Sequence, residues 1–440
     1  MSLFNRTDKQ LWRLALPMIL SNISVPLLGL VDTAVIGHLN SAIYLGGVAV
    51  ATTITSFLFM LLLFLRMSTT GLTAQAWGGK NNPALVRALV QPMIVSLLAG
   101  LLFLLFRQPF SHLATRVIGG DPAILYQARE FIDVRWLSAP ATFANLVILG
   151  WLLGVQYARA PVILLVAGNL VNIILELLLV LHLHMGVRGA AGATVIAEYV
   201  TLLTGIVLVW RVLARQGIDP RSLLNGWRGD IKRVLGLNRD ILLRSLLLQL
   251  CFASLTMTGA RLGGDIVAVN ALLMMFLSFT SYALDGFAYA VEAVSGEAYG
   301  ARQAGRLPEV WHASCRQAGI VAVAFSLIYA LAGPWIIDML TSLPSLRQLA
   351  DHYLIWQIIL PLAGVGCYLL DGLFVGATRG KEMRNSMAVA AAGFGLTLCT
   401  VPWLGNHGVW LALCVFMLLR GITLWRRWNY HQRHQSWFTP

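Results

Sequence analysis

Thr73-Ala74-Gln75-Ala76-Trp77-Gly78 returns 222 residues later as Ser295-Gly296-Glu297-Ala298-Tyr299-Gly300, and five of the six pairs are identical or chemically close. Near the same offset Pro140 falls on Pro361 and Gly154 on Gly376. Self-similarity at one displacement marks a chain built twice from one unit. Working outward from these two stretches, twelve runs carry few charges: 10–37, 43–66, 84–106, 125–156, 160–182 and 187–212, then 239–261, 266–295, 309–335, 348–376, 384–403 and 407–427. Runs this long and continuously apolar predict helices, because a membrane strand needs only about ten residues and alternates. The expected fold is an all-α membrane protein of twelve transmembrane helices in two six-helix bundles. Its lobes are residues 1–212 (helices 1–6) and 239–440 (helices 7–12), joined by a cytoplasmic linker over 213–238. Six crossings per copy is an even number, so the repeats run parallel. Parallel repeats are an architecture of secondary transporters that open a central cleft to each side in turn.

Composition excludes a soluble protein. Of 440 residues 58% are hydrophobic and 12% charged, with a mean hydropathy of +0.73, against roughly 25% charged in soluble domains. The net charge of +13 would suggest nucleic acid if it were clustered on a soluble surface, but the positive residues lie between the apolar runs. The N-terminal segment, the even-numbered loops, the central loop and the tail hold 25 of the 32 Lys and Arg. By the positive-inside rule both termini and the central loop are cytoplasmic, and no nucleic-acid partner is implied. The first run, Leu11 to Ile36, is too long for a signal-peptide core and contains Pro17 and Pro26, so it reads as an uncleaved first helix. Five cysteines without CxxC spacing read as free thiols, mostly buried.

Acids at membrane depth are the informative residues, because each needs a partner, a wet cavity or a proton. They are Asp32, Glu176 and Glu198 in the first bundle, and Asp285, Glu292 and Asp371 in the second. No Lys lies at that depth and the Arg residues read as sitting near span ends, so a cavity lined by these acids would favour cations or protons. Asn172 with Glu176, and Thr194 with Glu198, are spaced i, i+4 and share a helix face. Those two faces could converge on Asp32, where two neighbouring carboxyl groups away from water would load and release a proton. The plainer reading, that Asn172, Thr194 and Glu198 only tie helices together, stands beside it. Asp285 and Glu292 lie two turns apart on one face, about 10 Å along the axis. Tyr282 and Tyr289, three residues before each, suit a lipophilic cation through cation–π contact. Asp371, Glu198 and these four residues form the expected substrate surface together with Asp32. Phe57, Phe59, Met60, Met274, Met275 and Phe287 could add apolar surface, although helix packing explains them equally well. Pro17 and Pro26 predict a bend in helix 1 near Asp32.

With bundles, repeat and polar sites in place, the chain resembles the multidrug and toxic compound extrusion (MATE) family, in its DNA-damage-inducible F (DinF) branch. The resemblance rests on Leu16-Pro17-Met18, on Gly29-Leu30-Val31-Asp32-Thr33-Ala34-Val35-Ile36-Gly37-His38, on Val171-Asn172-Ile173-Ile174-Leu175-Glu176, on Gly189-Ala190-Ala191-Gly192-Ala193-Thr194, and on the stretch from Ala283 to Gly300. It implies a V-shaped pair of six-helix bundles that exports lipophilic, mostly cationic compounds in exchange for protons or Na⁺. It also implies a coupling site on Asp32, Asn172, Glu176 and Thr194. Two departures favour H⁺ over Na⁺: Leu149 stands where relatives place a helix 4 Asn, and Gln249 where the NorM branch has a helix 7 Glu.

The expected protein is therefore no enzyme but a proton-coupled multidrug antiporter of the bacterial inner membrane, whose partners are lipophilic cations, other drugs and the lipid bilayer. It is expected to be monomeric and to need no cofactor beyond the coupling ion, with Na⁺ as the alternative. A flippase of lipid-linked saccharides from the same superfamily would need Arg or Lys inside its cavity. An intramembrane hydrolase would need GxSxG, HExxH or GxGD, and none occurs in a span. A channel would need a repeated ring or filter.

Overall fold

The structure, a computed structural model, describes residues 4–439, apart from the side chains of residues 27–30. The Leu30 side chain of the helix 1 motif therefore lies outside the described residues. Twelve long helices follow one another: α1 Arg6–Ile36, α2 Ala42–Gly78, α3 Asn82–Ile118, α4 Pro122–Gly154, α5 Ala160–His182, α6 Gly186–Arg215, α7 Ile231–Leu262, α8 Gly264–Gly300, α9 Arg306–Leu340, α10 Pro344–Gly376, α11 Gly380–Leu398 and α12 Asn406–His434. Among the described residues there is no strand. Eleven of the helices are long and apolar enough to cross a membrane. The exception, α11, carries Lys381, Glu382 and Arg384 in its opening turns and ends at Leu398, short of the expected 403.

Local chemistry sets the ends and breaks. Asn81 caps α3 by accepting from the Ala84 N–H at 3.1 Å, and Gly119 closes the helix at a positive φ of 69°. Within α4, Pro140 lacks the N–H that would bond the Trp136 carbonyl, and the helix tightens into a 3₁₀ turn over Trp136–Ser138. Pro17 and Pro26 lie inside an unbroken α1. In α5 the regular helix stops at Glu176 and widens into a π-helix over Leu177–His182. Cys251, Cys367 and Cys414 are buried free thiols, whereas Cys399 is exposed.

The repeat seen in the sequence is present in the packing. Gly150 and Gly154 on α4 lie against Arg66 and Thr73 on α2, while Gly372 and Gly376 on α10 lie against Ala288 and Ser295 on α8. Each of the two contacts in the first repeat thus has its counterpart 222 residues on. Glycine is required there because an added Cβ at Gly376 would stand 2.8 Å from the Glu292 carbonyl oxygen, and at Gly154 2.5 Å from the Thr73 Cβ.

Two compact units result. One comprises Ile23–Trp77 and Asn81–Leu235; the other takes residues up to Asn22, Gly78–Lys80 and Gly236 onward. This departs from the expected boundaries at 212 and 239, because α1 is divided. Its first half belongs with α8 and α9. Asp8, fully buried, is held by Arg316 at 2.8 Å, the Trp12 indole donates to Gln317 at 2.9 Å, and Trp12 meets Phe287 edge-on at 4.8 Å. Gly286 lets Ile19 approach α8. The last turn of α1 instead buries Val35 and Ile36 in the first unit's core with Phe131, Ile132 and Trp136. The core of the second unit is built on Leu255, Leu273, Leu360, Trp410 and Phe416.

Candidate functional site

In the first unit the α1, α5 and α6 residues meet as their spacing suggested. Asn172 and Glu176 are buried, and the Thr194 hydroxyl lies 3.2 Å from Asn172 Oδ1, to which it can donate. The carboxyl groups of Asp32 and Glu176 are close enough to act on each other. Among the described residues, neither oxygen of Glu176, nor Oδ1 of Asp32, nor the Asn172 amide nitrogen has a hydrogen-bond partner. Two carboxylates repel and have no donor between them, so their contact closes only when a proton or a cation sits there. Glu176 is the last residue before the π-helical turn, and such single-turn widenings collect at functional positions. Sequence periodicity gave no hint of it, because the run around it is uniformly apolar.

Glu198 is placed differently. It is bonded to Arg135 of α4 at 3.4 Å, and its Oε2 and backbone carbonyl accept from Asn145 at 2.9 and 3.0 Å. Arg135 is itself buried, reaching Ser138 at 2.5 Å and lying over the Trp136 ring. The expectation that arginines keep to span ends fails here. A long cationic side chain can stay at membrane depth when an acid and hydroxyls complete its coordination. Asn145 and Arg135 were both missed, although an amide and a guanidinium inside an apolar run are signals of the same kind as the acids. Leu149, one turn from Asn145, packs in the apolar core.

The second unit repeats this correction. Asp371 on α10 is clamped by Arg244 of α7 at 2.7 Å and by Arg420 of α12. All three are buried, and Arg420 also lies over Phe416. Asp371 is thus neutralised by two protein cations, both bonded to its Oδ2. On α8, Glu292 is buried while Tyr282, Asp285 and Tyr289 are half-buried. Asn22 donates to the Tyr282 carbonyl at 3.1 Å, and Ser281 bonds the Tyr368 hydroxyl at 2.5 Å. Of the apolar candidates, Phe287 is fully buried and Met274 packs against the core around Leu273 and Trp410, whereas Phe57, Phe59, Met60 and Met275 are exposed.

The MatE family model matches residues 17–178 and 241–401, one match in each half of the chain. The chain belongs to the MATE family. It is a multi-pass membrane transporter of the multidrug and toxic compound extrusion type and not an enzyme. Across its full length it is 66% identical to the DNA damage-inducible protein F of Escherichia coli (strain K12), covering 95% of that protein. It is 24% identical over 441 residues to a probable multidrug resistance protein NorM of Acinetobacter baylyi, covering 95% of it. Among solved structures, a MATE protein in a bent conformation superposes with a TM-score of 0.84 at 22% identity, covering 99% of this chain and 98% of that one. A transporter of the MOP superfamily from Pyrococcus furiosus, described as having a binding pocket of reversed polarity, gives 0.81 at 21% identity with 98% of each chain covered. These likenesses establish the MATE fold and its doubled architecture.

Proposed function

We propose that this MATE protein exports lipophilic, mainly cationic compounds in exchange for protons, with Asp32 and Glu176 as the carboxyl pair that exchanges the proton. The contact between these two groups carries the reading. Asn172 and Thr194 orient the pair, and compound and proton compete for the same negative charge, which couples their movements. For a monovalent cation exchanged one for one, the charges moved cancel. The driving force is then the pH difference, about 1.4 kcal/mol per unit. A second proton would add the membrane potential, about 2.3 kcal/mol per 100 mV. Tyr282, Asp285, Tyr289 and Glu292 remain candidates for the compound's surface, whereas Glu198 and Asp371 are already engaged by arginine. The bacterial relatives and the Lys/Arg distribution support an inner-membrane location with both termini cytoplasmic, and a chain with its own doubled architecture supports action as a monomer.

Na⁺ coupling is the second reading. Asp32, Glu176, Asn172 and Thr194 offer oxygens of the right kind, but the apolar Leu149 supplies none. A saccharide-lipid flippase is disfavoured because Arg135, Arg244 and Arg420, the interior cations it would use, are each bound to an acid. The test is tetraphenylphosphonium transport in proteoliposomes under imposed pH or Na⁺ gradients, wild type against Asp32→Asn. Proton-driven export should be lost in the variant while its melting temperature is retained. Export driven by Na⁺ at zero pH difference would overturn the assignment of the ion.

A further inference from the structure

At the end of the second unit where α9 turns into α10 and α11 into α12, two imidazoles face each other. Nε2 of His407, the second residue of α12, lies 3.1 Å from Nε2 of His352 on α10, and the rings meet edge-on at 5.0 Å. The Trp356 indole N–H donates to His407 Nδ1 at 3.0 Å. That donor fixes the tautomer. An Nδ1 that accepts carries no hydrogen, so neutral His407 keeps its proton on Nε2 and donates it to His352 Nε2. The chain from Trp356 through His407 to His352 thus ties α10 to α12 at two points and uses every lone pair that could take up a proton at the contact. A metal ion is the poorer occupant, since binding at His407 Nε2 would move its proton to Nδ1 and set it against the indole N–H.

We propose that the His352–His407 pair is an acid-sensitive clasp between α10 and α12, intact while both imidazoles are neutral and released when either takes up a proton. A proton on His352 Nε2 sets two N–H groups against each other; one on His407 Nδ1 breaks the bond to Trp356. The surroundings leave the pair dependent on itself. Tyr353 packs edge-on against both rings. Asp338 on α9 pairs with Arg347 at 3.4 Å, and Asp351 lies in the field of Asp338. Arg261 and Asp265 sit at the turn between α7 and α8. There α8 meets α12 through the neutral Asn270, bonded to Asn406 at 2.8 and 2.9 Å and to Trp410 at 3.0 Å. His407 feels its partial burial first and then the charge that His352 carries once protonated. Imidazoles titrate between about pH 5 and 8, so the clasp holds at neutral pH and opens as the medium turns acid. With the orientation proposed above, on which this point alone rests, the external compartment sets that pH.

Hydrogen–deuterium exchange on the purified full-length protein in lipid nanodiscs tests this at pH 7.5 and 5.5, with rates corrected for the intrinsic effect of pH. In the wild type, corrected exchange in peptides covering 344–356 and 399–410 should rise about fivefold at pH 5.5, the size of one lost hydrogen bond. The double variant His352→Gln, His407→Gln should show no such difference. Should that variant fail to fold, His352→Gln alone, whose amide oxygen still accepts from His407, should at least halve the response. Equal rates at both pH values in the wild type, a response that survives in the variants, or one that EDTA abolishes would each overturn the clasp.

Discussion

The two repeats bury their acids in opposite ways. In the first unit Asp32 and Glu176 face one another beside an amide and a hydroxyl, and the Arg135 guanidinium, near enough to act on Asp32, is bonded to Glu198 instead. In the second, Asp371 is gripped by Arg244 and Arg420. The helix pairs that frame them are built alike, with α4 on α2 and α10 on α8 through glycines 222 residues apart. The difference teaches that depth in the membrane does not make an acid functional. A carboxylate bonded to two arginines is part of the frame, and one without a bonded cation is the better candidate to bind and release a charge.

The sharpest break of this contrast is Asp371→Asn. It leaves two buried guanidinium groups without their carboxylate and should cost about 3–5 kcal/mol, visible as a large fall in melting temperature. Asp32→Asn should leave that temperature unchanged or raised, and similar losses in both variants would erase the distinction. Next in size is Glu198→Gln, which keeps the bond from Asn145 and removes the charge facing Arg135. A loss of about 1.5–3 kcal/mol is expected, partly recovered when Arg135→Gln is added. No recovery in the double variant would deny that the pair acts as a unit. The smallest effects should be those of Gly154→Ala and Gly376→Ala, about 1–3 kcal/mol each from overpacking. Here the units should respond alike, and thermal denaturation that spares one of them would show that the repeat is only nominal.

Much of the candidate site's geometry was legible in the sequence. An acid inside an apolar run is conspicuous in one dimension, and the i, i+4 spacing of Asn172 and Glu176 assigns them a common face. Thr194 and Asn172 do bond, as two polar faces turned toward each other would. Partnership was not legible. Glu198 looked as available as Glu176, because nothing in the local sequence says that Arg135, 63 positions away, will fold onto it. The same holds for Asp371, whose partners stand 127 and 49 positions off.

From the chain alone came the helices, their number, the doubling and the membrane setting, since these follow from hydropathy and periodicity over windows of about twenty residues. Tertiary structure alone decided which acids are neutralised, that α1 is shared between the units at Asn22, and that α5 widens after Glu176. Those outcomes depend on close approach between residues distant in sequence, where an ion pair or an added Cβ is settled within an ångström, a scale that no pattern along the chain encodes.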